Sequence, residues 1–292
     1  MPTLNVTSTD AKICALRDLL TGLKRVVVCF SGGVDSGYLL AESVQQLGDR
    51  AVALTAVSPS LAPEEHTSAV QLARQLGATH RIIETTELDD ARYSANPTNR
   101  CYFCKTEVYG VAIAEAKRLG TAHVVDGFNA DDRGDHRPGR RAAQEQGVRS
   151  PLEELGFGKA DIRQAARQLG LPIWDKPALA CLSSRFPYGI TITPDRLKRV
   201  ARCEQTLRNL GFPVCRVRFQ HEVAQIEVET KEIDRLLRPD IRQQILLSFR
   251  DAGFKSVTFD PRGYRQGSLN EGITIPKKSN TDQGVSNEPV PL

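Results

Sequence analysis

Residues 31–36 read Ser31-Gly32-Gly33-Val34-Asp35-Ser36 and follow directly on the run Val26-Val27-Val28-Cys29-Phe30. A β-branched run that stops at Ser-Gly-Gly reads as a buried strand. Val34, Leu39, Leu40, Val44 and Leu47 give the stretch after it a helical period. Two glycines at that junction leave backbone N–H groups bare at a helix N-terminus, where a phosphate chain gains hydrogen bonds and the positive end of the helix dipole. The spacing therefore predicts a nucleotide phosphate site. A P-loop would need Gly-Lys-Ser/Thr after its glycines, and a dinucleotide site needs Gly-x-Gly-x-x-Gly with an acidic residue closing the second strand. Neither is present, and the second apolar run, Ala51 to Val57, ends in Ser58-Pro59.

Sulfur chemistry is the second theme. Asn99-Arg100-Cys101-Tyr102-Phe103-Cys104-Lys105 holds a Cys-x-x-Cys, and Cys181 lies in the segment from Lys176 to Gly189. One Cys-x-x-Cys fits half a zinc site, a dithiol redox pair or a bland pair of cysteines. No second Cys-x-x-Cys or His-x-x-x-His completes a zinc set, and His66, His80, His123, His136 and His221 have no ligand spacing. Cys14, Cys29, Cys203 and Cys215 read as small apolar core residues. Arg216 and Arg218 alternate across Val217, so a strand there sends both guanidiniums to one face, suited to phosphate or carboxylate or simply to water. Asp131 and Asp132 follow a strand end and suit Mg²⁺ on pyrophosphate, or a plain turn.

The elements that must position these groups change character near residue 185. Before it, strand-like runs (Val26 to Phe30, Ala51 to Val57, Arg81 to Glu84, His123 to Asp126) alternate with helical stretches that include Pro63 to Leu76, Thr106 to Leu119 and Asp161 to Leu169. Such alternation predicts an α/β fold with a parallel sheet wound with helices on both faces, and phosphate sites at the carboxyl ends of strands, where Ser31 and Asp126 sit. After it come a helix over Pro194 to Leu210, strands at Val214 to Phe219 and Ala224 to Val228, a helix over Leu236 to Arg250 and a strand at Ser256 to Phe259. That order predicts a smaller α+β domain over 186–275, beside a nucleotide-binding domain over 1–185. The end, 276–292, is polar, without period, and reads as a disordered tail.

Composition narrows the class. The chain has 292 residues, 40% of them hydrophobic and 25% charged, and it shows no membrane span or signal sequence, so a cytoplasmic enzyme is expected. A net charge of +4 without a basic block gives no argument for nucleic acid. Seven cysteines, an odd number in a chain with no export signal, point to thiols, metal or redox work rather than to disulfides.

The Ser31 to Ser36 loop resembles the SGGxDS signature of the PP-loop ATP pyrophosphatases. That resemblance implies ATP cleaved between its α and β phosphates, leaving an adenylated substrate and pyrophosphate. With the Cys101 to Lys105 segment, Asp126-Gly127-Phe128-Asn129-Ala130-Asp131-Asp132, Pro177 to Gly189 and Gly263 to Asn270, the chain resembles the LarE family from about residue 10 to 272. Members are ATP-dependent sulfur transferases that convert the carboxylates of a pyridinium biscarboxylic acid mononucleotide to thiocarboxylates on the way to the nickel-pincer nucleotide of lactate racemase.

The resemblance implies site residues. Ser31, Gly32, Gly33, Asp35, Ser36, Gly127, Asp131 and Asp132 would bind ATP and Mg²⁺; Arg185, Glu204, Arg216, Arg218 and Arg265 would bind the nucleotide substrate. Some members sacrifice the sulfur of a cysteine at the Cys181 position. Members with three cysteines, like this chain, imply a [4Fe-4S] cluster on Cys101, Cys104 and Cys181, with one iron left open to carry an extra sulfide. Cys181 and Asp35 would be catalytic, an outside sulfide donor is implied, and a homo-oligomer is expected. A tRNA thiolase and an ammonia-using amidotransferase share the loop and stay open as alternatives, with retained RNA marking the first and activity with ammonia in the absence of iron marking the second.

Overall fold

The computed structural model of the protein describes residues 8–121, 123–134, 138–177, 180–265 and 267–270. Helix α1 (Thr9–Leu23) buries Ile13, Leu16, Leu20 and Leu23 on one face, an amphipathic stripe that anchors it to the core. Then follow β1 (Val26–Cys29), α2 (Val34–Leu47), β2 (Ala51–Val57), α3 (Pro63–Gln75) and β3 (Thr79–Glu84). A short α4 (Ala91–Ser94) leads to α5 (Arg100–Arg118), β4 (Val124–Val125), α6 (Pro138–Glu145), α7 (Pro151–Glu154) and α8 (Lys159–Gln168).

The first four strands form a parallel sheet in the order β3-β2-β1-β4. Every residue of β1 is buried, as a strand covered on both faces requires. Its side chains leave alternately: Val26 and Val28 join Leu16, Leu39 and Ile162 on the side of α1, α2 and α8. Val27 and Cys29 join Tyr109, Ala112 and Ala142 on the side of α5 and α6. The fold is thus the expected α/β class with helices on both faces. From β1 the chain steps one way to β2 and later returns to pair β4 on the other side, so a crevice opens at the carboxyl ends of β1 and β4. Ser31 follows β1 there, and Asp126 follows β4.

The second sheet is built from α9 (Pro194–Asn209), β5 (Cys215–Gln220), β6 (Val223–Val228), α10 (Ile233–Leu236), α11 (Pro239–Asp251) and β7 (Ser256–Phe259). Its order is β5-β6-β7, with β5 and β6 antiparallel and β6 and β7 parallel. Cys215, Val217 and Phe219 pack on Leu197 and Phe249, and the same core takes in Ala62, Leu182 and Phe186. The loop carrying Cys181 is therefore seated on the second core.

Two helices differ from expectation. The helix expected from Thr106 starts at Arg100, because the amides of Arg100 and Tyr102 bond to the carbonyls of Pro97 and Asn99 and open the first turn there. Both cysteines of the Cys-x-x-Cys thus lie on the first turns of α5. The helix expected over Leu236 to Arg250 is broken ahead of Pro239, whose ring holds Arg238 extended at ψ 138° and starts α11 afresh. Among the described residues no helix is long and apolar enough to cross a membrane. The tail expected over 276–292 lies outside the described residues.

Candidate active site

The loop after β1 has the shape that phosphate binding needs. Gly32 has φ +76°, and a Cβ on it would meet the Ala69 side chain at 3.0 Å, so both backbone and space call for glycine. Ser36 Oγ lies 3.0 Å from Ser31 Oγ and accepts the Ser31 N–H at 3.2 Å, closing the loop on the first turn of α2. Gly127, just past β4, lies so near that a Cβ would sit 2.8 Å from the Ser36 nitrogen. Lys176 Nζ donates to the Gly32 carbonyl at 3.3 Å and to Glu65 at 2.8 Å, adding a cation at the loop.

Asp35 on α2 accepts from Asn129 Nδ2 at 3.2 Å, and the Asn129 N–H donates to Asp132 at 3.3 Å. One asparagine therefore bridges two carboxylates. Burial first, then Asp132, holds the Asp35 carboxyl above the usual carboxylate range, against the pull of Lys159 and Asn129. A divalent cation between the two would relieve this crowding, which is the fit expected of an Mg²⁺ site. Asp131 is turned elsewhere: it is exposed and accepts the Lys159 N–H at 2.8 Å at the start of α8.

The three cysteines come from two segments. Cys101 and Cys181 are exposed and Cys104 is half-buried. Burial pushes the Cys104 thiol up, and Glu87, Cys181 and Cys101 push it further while Lys105 opposes them, so the three sulfurs share one electrostatic neighbourhood. Among the described residues no three side chains of His, Cys, Asp or Glu already stand at metal-holding distance. The donor set itself, three soft sulfur ligands, is of a kind that can hold iron as a cluster.

Cys181 is held by its neighbours. The Leu182 N–H donates to the Ser60 carbonyl at 2.8 Å, and Tyr93 and Ser183 share a hydroxyl contact of 2.7 Å. Ser60 and Thr85 donate in turn to the buried Glu87 at 2.7 and 2.9 Å. Arg185, expected at the substrate, is 3% exposed and fully engaged. It grips Glu204 through Nε and Nη2 at 2.8 and 3.0 Å, and its Nη1 donates to the carbonyls of Ala180 and Cys181. Glu204 also accepts the Val217 N–H at 3.0 Å. This pair ties the Cys181 loop to β5 rather than offering itself to a ligand.

Burial pushes the Glu204 carboxyl up, but Arg185 outweighs it and holds the group below the usual range. The stability this contributes is present above the ordinary glutamate pKa and lost as the pH falls through the lowered value. Glu204→Gln is expected to cost about 3–5 kcal/mol, because it leaves a buried guanidinium uncompensated. Urea denaturation at neutral pH measures the loss, which should shrink in acid.

Arg216 and Arg218 share the face of β5 away from its core, as expected. Arg218 is paired with Glu227 at 2.9 Å through both Nε and Nη2, and its Nη1 donates to the Ser184 carbonyl at 2.7 Å. It lines a cavity of about 450 Å³ with Tyr188, Asp260 and Arg265. Arg265 lies 3.4 Å from Asp260. Arg216 is over the Tyr264 ring at 5.1 Å with no carboxylate at ion-pair distance among the described residues, and burial and Arg185 push its guanidinium down. An arriving anion would reverse that.

Of the cysteines read as core, Cys29, Cys203 and Cys215 are buried, but Cys14 is exposed on α1, since the buried stripe passes through Ile13 and Leu16 instead. The supporting residues Glu87, Tyr93, Asn96, Arg100, Asn129 and Lys176 escaped the sequence reading. Arg100, Asn129 and Lys176 lay in segments already singled out, and nothing in the spacing of Glu87, Tyr93 and Asn96 brings them together.

A glycine-bent loop at a topological switch point of a parallel sheet, with paired aspartates beside it, has the form of the PP-loop fold. No family model matches the chain. It is 44% identical to an uncharacterized protein of Synechocystis sp. over 91% of this chain and 99% of the relative. It is 38% identical to the pyridinium-3,5-bisthiocarboxylic acid mononucleotide synthase of Lactiplantibacillus plantarum over 90% of this chain and 93% of that protein. A tRNA-specific 2-thiouridylase of Xanthobacter autotrophicus is 30% identical over 52% of this chain and 49% of its own length. The chain belongs to the LarE family of sulfurtransferases within the PP-loop superfamily.

Proposed function

We propose that this protein adenylates the carboxylates of a pyridinium biscarboxylic acid mononucleotide and converts them to thiocarboxylates, in the synthesis of the nickel-pincer nucleotide of lactate racemase. The observation that carries this reading is the loop after β1, where Gly32 at φ +76° and Ser36 shape a phosphate site beside the Asp35–Asn129–Asp132 bridge. A carboxylate is a poor electrophile, because its leaving group would be oxide. Transfer of AMP from ATP makes it a mixed anhydride with pyrophosphate as the by-product, and a sulfur nucleophile then displaces AMP.

Ser31, Gly32, Gly33 and Ser36 hold the phosphates, with Gly127 closing against them, and Asp35 with Asp132 holds Mg²⁺. Arg216, Arg218 and Arg265 receive the phosphate of the substrate, while Arg185 and Glu204 fix the loop that presents Cys181. Cys101, Cys104 and Cys181 would hold a [4Fe-4S] cluster. Such a cluster, with one iron free of protein ligands, supplies sulfur without consuming the chain. The protein works in the cytoplasm as a homo-oligomer with an outside sulfide donor, residues 1–185 carrying the nucleotide site and 186–275 the substrate side.

The test is anaerobic incubation with ATP, Mg²⁺, sulfide and the biscarboxylic nucleotide. Nucleotide-dependent pyrophosphate release and a product heavier by the exchange of sulfur for oxygen are expected. Orthophosphate in place of pyrophosphate overturns the reading. RNA retained on purification and thiolated by the protein would move it to the tRNA thiolases, which its half-length likeness to a 2-thiouridylase makes the sharpest rival.

A further inference from the structure

We propose that Glu87 is a positioning residue of the sulfur site: from one buried turn it sets the register between the Cys181 loop and helix α5, which carries Cys101 and Cys104. The proposal rests on the sulfur-transfer reading above. Glu87 opens the short 3-10 turn Glu87–Asp89 that follows β3, and it is 3% exposed. A carboxylate so deeply placed is costly unless donors meet it. Ser58 and Ser60 both donate their hydroxyls to Oε1, at 2.5 and 2.7 Å, and Thr85 donates to Oε2 at 2.9 Å. Among the described residues, hydroxyls and no cation meet it.

The three hydroxyls come from places that the fold must bring together. Ser58 follows the carboxyl end of β2, and Thr85 follows that of β3, where its N–H donates to the Val57 carbonyl at 3.0 Å. Ser60 lies two residues beyond Ser58, whose Oγ accepts its N–H at 3.2 Å, so this bend is closed on itself as well as on Glu87. The Ser60 carbonyl then accepts the N–H of Leu182, the neighbour of Cys181, at 2.8 Å. On the other side the N–H of Thr86, the neighbour of Glu87, donates to Glu107 Oε1 at 2.6 Å. Glu107 lies on α5, one turn beyond Cys104. One short turn thus holds both cysteine-bearing segments, the first through Glu87 and Ser60, the second through Thr86 and Glu107.

Reach, rather than charge, is what this clasp needs from Glu87. Both serine hydroxyls share one oxygen, which fixes the Ser58–Ser60 bend against the turn. Glutamine keeps that oxygen in place, and its amide N–H can meet Thr85, whose hydroxyl accepts as well as donates. Aspartate keeps the charge and withdraws the acceptor by one methylene. A reacting group displaced by about 1 Å loses on the order of 10²-fold in rate. Adenylation takes place at the Ser31 loop and Asp35, to which the Glu87 carboxylate makes no bond among the described residues, so the two half-reactions should respond differently.

The test uses the full chain, purified anaerobically, and follows nucleotide-dependent ATP–pyrophosphate exchange, thiocarboxylate formation and melting temperature. On iron-free samples of the same chains, peptide mass spectrometry reads the yield with which a short bismaleimide joins Cys181 to Cys101 or Cys104. Glu87→Asp is expected to lower thiocarboxylate formation by at least about tenfold, and the cross-link yield with it. Glu87→Gln should keep both within about threefold of wild type, and exchange should stay within about threefold in either variant. Ser60→Ala opens the same clasp without touching Glu87 and should lower product and cross-link by at least about threefold, which decides the case if Glu87→Asp does not fold. Wild-type product and cross-link yields in both Glu87→Asp and Ser60→Ala overturn the proposal. A Glu87→Gln as poor as Glu87→Asp also overturns it, by assigning the role to charge. So does exchange that falls in step with product, the mark of a general loss of structure, and so does a wild type in which Cys181 is joined to neither partner. Failure of the parent reading looks different: the wild type would then support no nucleotide-dependent exchange, while the cross-link pattern across the variants would stand.

Discussion

Asp35→Ala is expected to lower pyrophosphate release by at least about 10²-fold while the protein stays folded, because it removes a charged group aimed at the phosphates and their metal. The site explains why so small a change acts so strongly. Asp35 lies on the first turn of α2, where the loop delivers its amides, and Asn129 fixes it beside Asp132. Asp35→Asn separates charge from shape. Burial and Asp132 hold the carboxyl above the usual range, so folding favours its protonated form. That contribution is full below the ordinary aspartate pKa and lost as the pH rises through the raised value. At neutral pH the ionised carboxylate works against the fold. Asp35→Asn should therefore melt higher than the wild type in the absence of Mg²⁺, while Mg²⁺ should stabilise the wild type and leave the variant nearly unmoved. Calorimetry with and without Mg²⁺, beside a pyrophosphate assay, checks both. A variant that keeps its activity would move carboxylate activation away from this loop.

The first sheet was legible because its signals are local. Four successive β-branched or small residues at Val26 to Cys29, then Ser-Gly-Gly, place a buried strand before a helix start whatever the rest of the chain does. Val34–Leu47, Ala51–Val57 and Ser256–Phe259 have the bounds that periodicity and turn residues predict. The start of α5 was hidden because Tyr102 and Phe103 interrupt the apolar period, and the turn is nucleated by backbone bonds to Pro97 and Asn99 rather than by a capping side chain. The carboxylates and guanidiniums were legible as types and not as roles. Arg185 and Arg216 look alike in sequence; only the fold shows that Glu204 occupies the first and leaves the second to the Tyr264 ring. Glu87 and Asn96 were beyond reach for the same reason: Ser60 bonds the first from 27 residues away, and Pro187 receives the second from 91 residues away.

Anaerobically purified protein is expected to carry about four irons per chain with the broad visible absorption of sulfide-to-iron charge transfer, and Cys101→Ala, Cys104→Ala and Cys181→Ala are each expected to abolish both. Cys14→Ser should change neither, since that thiol is exposed on α1, and Cys29→Ala, Cys203→Ala and Cys215→Ala should keep the iron at a stability cost of about 1 kcal/mol each. A sacrificial mechanism makes the opposite demand: Cys181 alone would lose the mass of hydrogen sulfide on turnover, and Cys101 and Cys104 would be dispensable. The surroundings favour the shared role. A sacrificial sulfur needs one exposed cysteine on a fixed loop, which Arg185 and Ser60 already provide for Cys181. It gives no reason for two more thiols one turn apart on α5, within electrostatic reach of Cys181. Intact-protein mass spectrometry before and after turnover decides between the two, and a dehydroalanine at position 181 in iron-free, active protein would overturn the cluster.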